Sequence, residues 1–150
     1  MSYRNDVAVV VLDKPIDDII PATLPRAGFL DELKAQKLLK DKQFVTVGYG
    51  RLRQDKTKGP ESIYPSGGVR SNATGTFSAL TDDWLKISMN PSTGDGGTCY
   101  GDLGGPHLLN DTVVSITVTG DITCRATDVT YRLDIESARA YLKQFVTLPE

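Results

Sequence analysis

The chain has 150 residues, 39% apolar and 24% charged, which fits one globular domain and excludes a disordered or fibrous protein. Seventeen basic against nineteen acidic residues leave a net charge of −2, which argues against a nucleic-acid binder held by bulk charge. The longest apolar run, Val7 to Leu12, is far shorter than the ~20 residues of a membrane span and does not form a signal peptide.

In chain order, Asn5-Asp6 leads into Val7-Ala8-Val9-Val10-Val11-Leu12, an unbroken and mostly β-branched run that reads as a strand covered on both faces. Residues 13–25 hold three prolines and read as an extended connector. Residues 28–39 set Phe29, Leu30, Leu33 and Leu38 among charges, the pattern of a short helix. Residues 43–50 read as a strand, Phe44-Val45-Thr46-Val47, closed by Gly48-Tyr49-Gly50, and residues 51–68 as a long polar loop. Eight Lys and Arg residues between Lys34 and Lys58 leave two readings open, a patch for an anionic partner and a solvated helix and loop. Further strands are predicted at residues 69–80, 84–89, 112–119 and 129–133. Asp134 is placed to cap a last helix, whose Ile135, Ala138, Leu142 and Phe145 share one face.

The one histidine, His107, excludes a metal site of several imidazoles and limits acid–base chemistry by this chain to a single ring. Cys99 and Cys124 lie 25 positions apart, a spacing that admits a disulfide or two buried thiols. Residues 90–106, NPSTGDGGTCYGDLGGP, carry six glycines in seventeen positions, so the backbone there turns sharply or is closely approached. The segment has no lysine, which rules out a phosphate loop, and no Gly-x-Gly-x-x-Gly. Asp95, Asp102 and His107 are the only basis for a metal site, and no cofactor is expected.

Within that segment, Cys99-Tyr100-Gly101-Asp102-Leu103-Gly104-Gly105-Pro106 closely resembles the nucleophile loop of trypsin-like (chymotrypsin-fold) serine proteases, Cys-x-Gly-Asp-Ser-Gly-Gly-Pro. The one departure is Leu103, which stands where the family has its catalytic serine. The run from Asn5 to Leu12 resembles the strand that carries the triad aspartate, which puts Asp6 at that position. Gly48-Tyr49-Gly50 is similar to the start of the family's second barrel, and residues 116–120 to the strand beside its substrate cleft. Tyr131-Arg132-Leu133 and the last helix resemble its closing elements.

The resemblance implies an all-β fold, an antiparallel Greek-key barrel with a short C-terminal helix. Residues 1–14 would be the last strand of a first barrel that is otherwise missing, 15–42 a connector, and 43–150 the second barrel. It implies a Cys99–Cys124 disulfide, an oxyanion hole from the backbone N–H groups of Gly101 and Leu103, and a substrate pocket with Gly97 and Thr98 at its base and Gly120 at its mouth. Asp128 would fall near a second base position, where a carboxylate favours Arg or Lys side chains; an ordinary loop aspartate is the other reading. Asp102, whose family counterpart pairs with the N-terminus freed on activation, would stay at the surface or take a backbone partner in a zymogen-like loop. Two readings of Leu103 stay open, a packing role, in which the apolar side chain fills the cleft if the loop collapses inward, and simple genetic drift. His107, on the wrong element to serve as the base, takes a structural or surface role. The family implies a secreted protein with peptide or protein substrates, and neither nucleic acid nor membrane as partner. Without serine or catalytic histidine the chain is expected to be an inactive endopeptidase homologue. Alternatives are a peptide- or protein-binding module and one half of an endopeptidase that needs a separate first barrel.

Overall fold

Burial alternates with a period of two along the short strands, and this rolls the chain into a closed barrel. The computed structural model describes residues 5–53, 63–65 and 67–150. The elements are helix α1 (Phe29–Ala35), strands β1 (Gln43–Gly48), β2 (Leu52–Arg53), β3 (Ile63–Tyr64), β4 (Ser71–Leu80), β5 (Trp84–Ser88), β6 (Pro106–Leu109), β7 (Thr112–Gly120) and β8 (Thr127–Arg132), and helix α2 (Glu136–Leu142). The six barrel strands run β1-β4-β5-β8-β7-β6, all antiparallel, and the sheet closes where Val45 faces Leu108 and Thr46 faces His107. Closure removes the unpaired edges that an open sheet would expose. Strands β2 and β3 form a separate two-stranded ribbon.

Phe44 and Thr46 of β1, Leu85 and Ile87 of β5, and His107 and Leu109 of β6 are the buried alternates. Because Thr46 is paired with His107, the interior divides along the strands. Phe44, Leu80, Leu85, Ile87, Leu109 and Val114 fill the apolar part, with Leu30 of α1 and Leu39 packed on it. Thr46, His107, Ser115, Thr117, Asp128 and Thr130 form a buried polar part instead. A second cluster unites Val118, Tyr131 and Leu133 with Ala138 and Leu142 of α2.

Several expectations change in the fold. Val7–Leu12 forms no strand: Val7 and Val9 lean on the second cluster, while Val10 and Val11 are 84% and 75% exposed. Among the described residues no strand lies beside this run, so its backbone has no ladder to join. The helix expected over residues 28–39 spans only Phe29–Ala35, and Lys37 just past its end has φ +60°. The loop expected at residues 51–68 contains the β2–β3 ribbon; its residues 54–62 and 66 lie outside the described residues.

Asp134 makes no cap for α2, whose N-cap is Ile135 without a side-chain bond. It serves α1, where its Oδ2 accepts the N–H of Leu30, 104 positions earlier, at 2.8 Å. Its two oxygens also take a bidentate pair of bonds from Arg132 Nε and Nη2, both 2.9 Å. Arg132 is 1% exposed and donates further to Asp31 at 2.5 Å and to the Thr81 carbonyl at 2.8 Å. Burial opposes the charge of this guanidinium, but Asp134 and Asp31 outweigh it and hold the pKa above its ordinary value.

Candidate functional site

The glycine-rich segment leaves β5 through Asn90, whose side chain accepts the Ser92 N–H at 3.0 Å and caps a single 3-10 turn, Pro91–Thr93. Asp95 follows, 4% exposed, accepting the hydroxyls of Thr76 (2.9 Å) and Thr93 (2.8 Å). Burial, the largest influence, pushes this carboxyl up, and hydrogen bonds from Thr93, Ser88 and Thr76 together pull it below the ordinary 3.8. Asp95 therefore contributes stability that is present above pH 3.8 and lost as pH falls through its lower folded value. In acid unfolding, Asp95→Asn is expected to flatten the pH dependence in that window; an unchanged acid limb would show that Asp95 does not contribute.

The loop itself is folded around Asp102. Its Oδ1 accepts the Gly50 N–H at 2.7 Å and its Oδ2 the Cys99 N–H at 2.9 Å. A Cβ on Gly48 would stand 2.0 Å from Asp102 Oδ1, and one on Gly50 2.5 Å from its Cγ, which is why glycine flanks Tyr49 here. Arg51 N–H adds a bond to the Tyr100 carbonyl at 2.8 Å. Farther on, Gly104 N–H donates to Thr117 O and Thr117 N–H to Gly105 O, at 2.8 and 2.9 Å, which ties the loop to β7. Between these anchors the N–H groups of Gly101 (φ +98°) and Leu103 have no backbone acceptor among the described residues.

A cavity of about 350 Å³ opens between this loop and the end of β7, with Thr98, Tyr100, Gly101, Leu103, Gly120 and Ile122 in its lining. The Cys99–Cys124 disulfide joins its two walls, and the Tyr100 hydroxyl donates to the Ile122 carbonyl at 2.8 Å. Asp121 shapes the second wall. It accepts the Thr123 hydroxyl at 2.7 Å and the backbone N–H groups of Ala126 and Thr127 at 2.7 and 3.0 Å. Burial raises its pKa, but these bonds and that from the Arg125 N–H more than reverse the shift.

The structure thus gathers Thr98, Cys99, Gly101, Leu103, Gly120 and Cys124 at one cleft and leaves other candidates outside it. Leu103 does not fold inward; it is 68% exposed, because the positive-φ glycines around it turn the side chain out at the tip. Gly97 is not in the lining and packs against Met89, which a Cβ would meet at 2.2 Å. Asp128 is neither a loop residue nor in the lining: it lies in β8, 0% exposed, behind Thr98. Its Oδ2 accepts the Thr98 hydroxyl at 2.7 Å and bonds His107 Nε2 at 2.8 Å. His107, 1% exposed, has no surface role. Asp6 is exposed and joined to no cleft residue by a hydrogen bond among the described residues. Asp95, Asp102 and His107 are each held by different partners and do not converge on a metal site. The sequence reading missed the part played by Asp121, although Asp-x-Thr ahead of a cysteine turn is a visible turn signal. It missed the His107–Asp128 pair too, for which no local signal exists.

Six antiparallel strands closed on themselves, carrying a glycine loop that a disulfide ties across a cleft, define a chymotrypsin-like β-barrel. The chain belongs to the trypsin family, whose model, described as Trypsin, matches residues 1–140. Among solved structures it is similar to the crystal structure of a scabies mite inactivated protease paralogue, with a TM-score of 0.56 and 17% identity. The match covers 87% of this chain and 55% of that one, so the chain spans little more than half of that protein. Both findings agree with the fold expected from the loop motif, and the disulfide is formed as the resemblance implied.

Proposed function

We propose that this chain is a non-catalytic member of the trypsin family, which keeps the cleft of a serine endopeptidase without its chemistry. The observation that carries this reading is Leu103 at the tip of the nucleophile loop. Acyl transfer of this class needs an oxygen nucleophile, an imidazole to take its proton and a carboxylate to orient the imidazole. Leucine has no heteroatom, so no acyl-enzyme forms at position 103. The chain's single imidazole, His107, is buried and bonded to Asp128. A separately supplied half could bring an imidazole, but it could not replace Leu103. The Gly101 and Leu103 N–H groups still fit an oxyanion hole, since backbone donors do not depend on the side chain. The solved neighbour is an inactivated protease paralogue, which is coherent with this reading.

The cleft favours a second component, binding of a peptide without cleavage. Tyr100, Leu103 and Ile122 bring exposed apolar surface to a cavity of about 350 Å³ with Gly120 at its edge. A peptide would enter there with its backbone beside Gly120. Asp128, shielded by Thr98 and His107, is not offered to a basic side chain. Family membership and the disulfide are consistent with a secreted protein. The test is to measure hydrolysis of a panel of activated peptide esters together with binding of the uncleaved peptides. No turnover above buffer is expected. Catalytic turnover would overturn the proposal.

A further inference from the structure

The chain has four asparagines, and three of them open the triplet Asn-x-Ser/Thr: Asn72-Ala73-Thr74, Asn90-Pro91-Ser92 and Asn110-Asp111-Thr112. That triplet is the acceptor for N-linked glycans wherever x is not proline, so Pro91 excludes Asn90. The fold sorts the asparagines in the same way. Asn90 spends its side-chain oxygen on the Ser92 N–H at 3.0 Å, and Asn5, which opens no triplet, accepts the Tyr131 hydroxyl at 3.0 Å. Asn72 and Asn110 are exposed and make no side-chain hydrogen bond among the described residues.

Asn110 stands at the tip of the β6–β7 hairpin with φ +55°, a left-handed value that asparagine tolerates. The Thr23 N–H donates to the Asp111 carbonyl at 3.0 Å and the Val113 N–H to the Thr23 carbonyl at 2.9 Å. These bonds hold the turn by its backbone and leave the Asn110 amide free. Asn72 lies inside the β1–β4 ladder opposite Val47, and it lines a small cavity with Gly97 and Asp102, so a glycan there would stand against the nucleophile loop. We propose that Asn110 is an N-glycosylation site and that Asn72 is not. The site rests on the secreted reading given above, and its donor is a lipid-pyrophosphate oligosaccharide. Asn110 Nδ2 attacks C1 of the donor's first sugar; the C1–N bond forms and the C1–O bond breaks. The lipid pyrophosphate leaves with the electron pair, and one amide proton passes to a base of the transferase. A glycan attached this way must stay in water once the chain folds, and the hairpin tip meets that need. Strand β7 runs nine residues, roughly 25 Å, from Thr112 to Gly120 at the cleft, so the glycan leaves the cleft open.

The experiment is to express the whole chain behind a secretory leader in a eukaryotic cell. Intact mass is then read on chain from lysate and medium, before and after an amidase that removes N-glycans. Loss of one glycan mass is expected. Asn110→Asp, which keeps a residue tolerant of the left-handed turn, is expected to abolish it. Thr112→Val, which keeps the side-chain shape without the hydroxyl, is expected to do the same. Thr112→Ser and Asn72→Asp are expected to retain the glycan. Chain with an oxidised Cys99–Cys124 pair and no glycan overturns the site and leaves the secreted reading standing. Free thiols and no glycan remove the secreted reading and the site with it. A glycan that persists in Asn110→Asp overturns the assignment to Asn110, and two glycans on the wild-type chain overturn the exclusion of Asn72.

Discussion

Asp134→Ala is expected to destabilise the fold by about 3–5 kcal/mol, the range for breaking a buried ion pair by removing one member. The loss is large because Arg132 remains buried while its bidentate partner goes. Asp31 cannot replace it, since its side chain is 61% exposed and screened by water. The same change strips the Leu30 N–H of its acceptor and loosens α1 over the apolar part of the barrel. In a domain of this size the melting temperature should fall by on the order of 10 °C. Asp31→Asn, at the solvent end of the cluster, should cost no more than about 1 kcal/mol. Equal and small losses in both variants would show that Asp134 does not hold α1 in place.

Replacing both Cys99 and Cys124 by serine is expected to cost about 3–4 kcal/mol, from the chain entropy that closing a 25-residue separation removes from the unfolded state. The effect should concentrate at the cleft, because the bridge joins its two walls. Thermal unfolding of the oxidised chain, the reduced chain and the double variant makes the comparison. The reduced chain and the double variant should melt together, well below the oxidised one. Coincident melting of all three would mean that the loop is already restrained by Asp102 and Asp121.

The glycine loop and most barrel strands were legible because their signals are local. An eight-residue pattern marks the loop, and a β-branched run marks β7. Strand β6 was hidden, since Pro106 follows two glycines and only four residues carry the strand. Val7–Leu12 shows the opposite failure: its composition is that of a strand, but a strand also needs a neighbour, and composition does not supply one. Asp134 sits where a cap for α2 would, yet the buried charge of Arg132 and the free N–H of Leu30 compete for it and prevail. His107 and Asp128 meet because the barrel aligns β6 and β8 around one interior, a fact of register and not of spacing. At the site, identity of the loop residues was readable, but the direction of Leu103 depends on positive φ at Gly101 and Gly104.

The proposed loss of catalysis is tested most directly by intact-mass analysis after incubation with a serine-directed aryl phosphonate, using the wild-type chain and Leu103→Ser. Neither is expected to gain the mass of one adduct. The wild type offers no oxygen nucleophile at the loop tip, and the variant has no accessible imidazole in this chain to activate one. An adduct on the wild-type chain, mapped to the peptide that spans Cys99 to Pro106, would contradict the proposed inactivity.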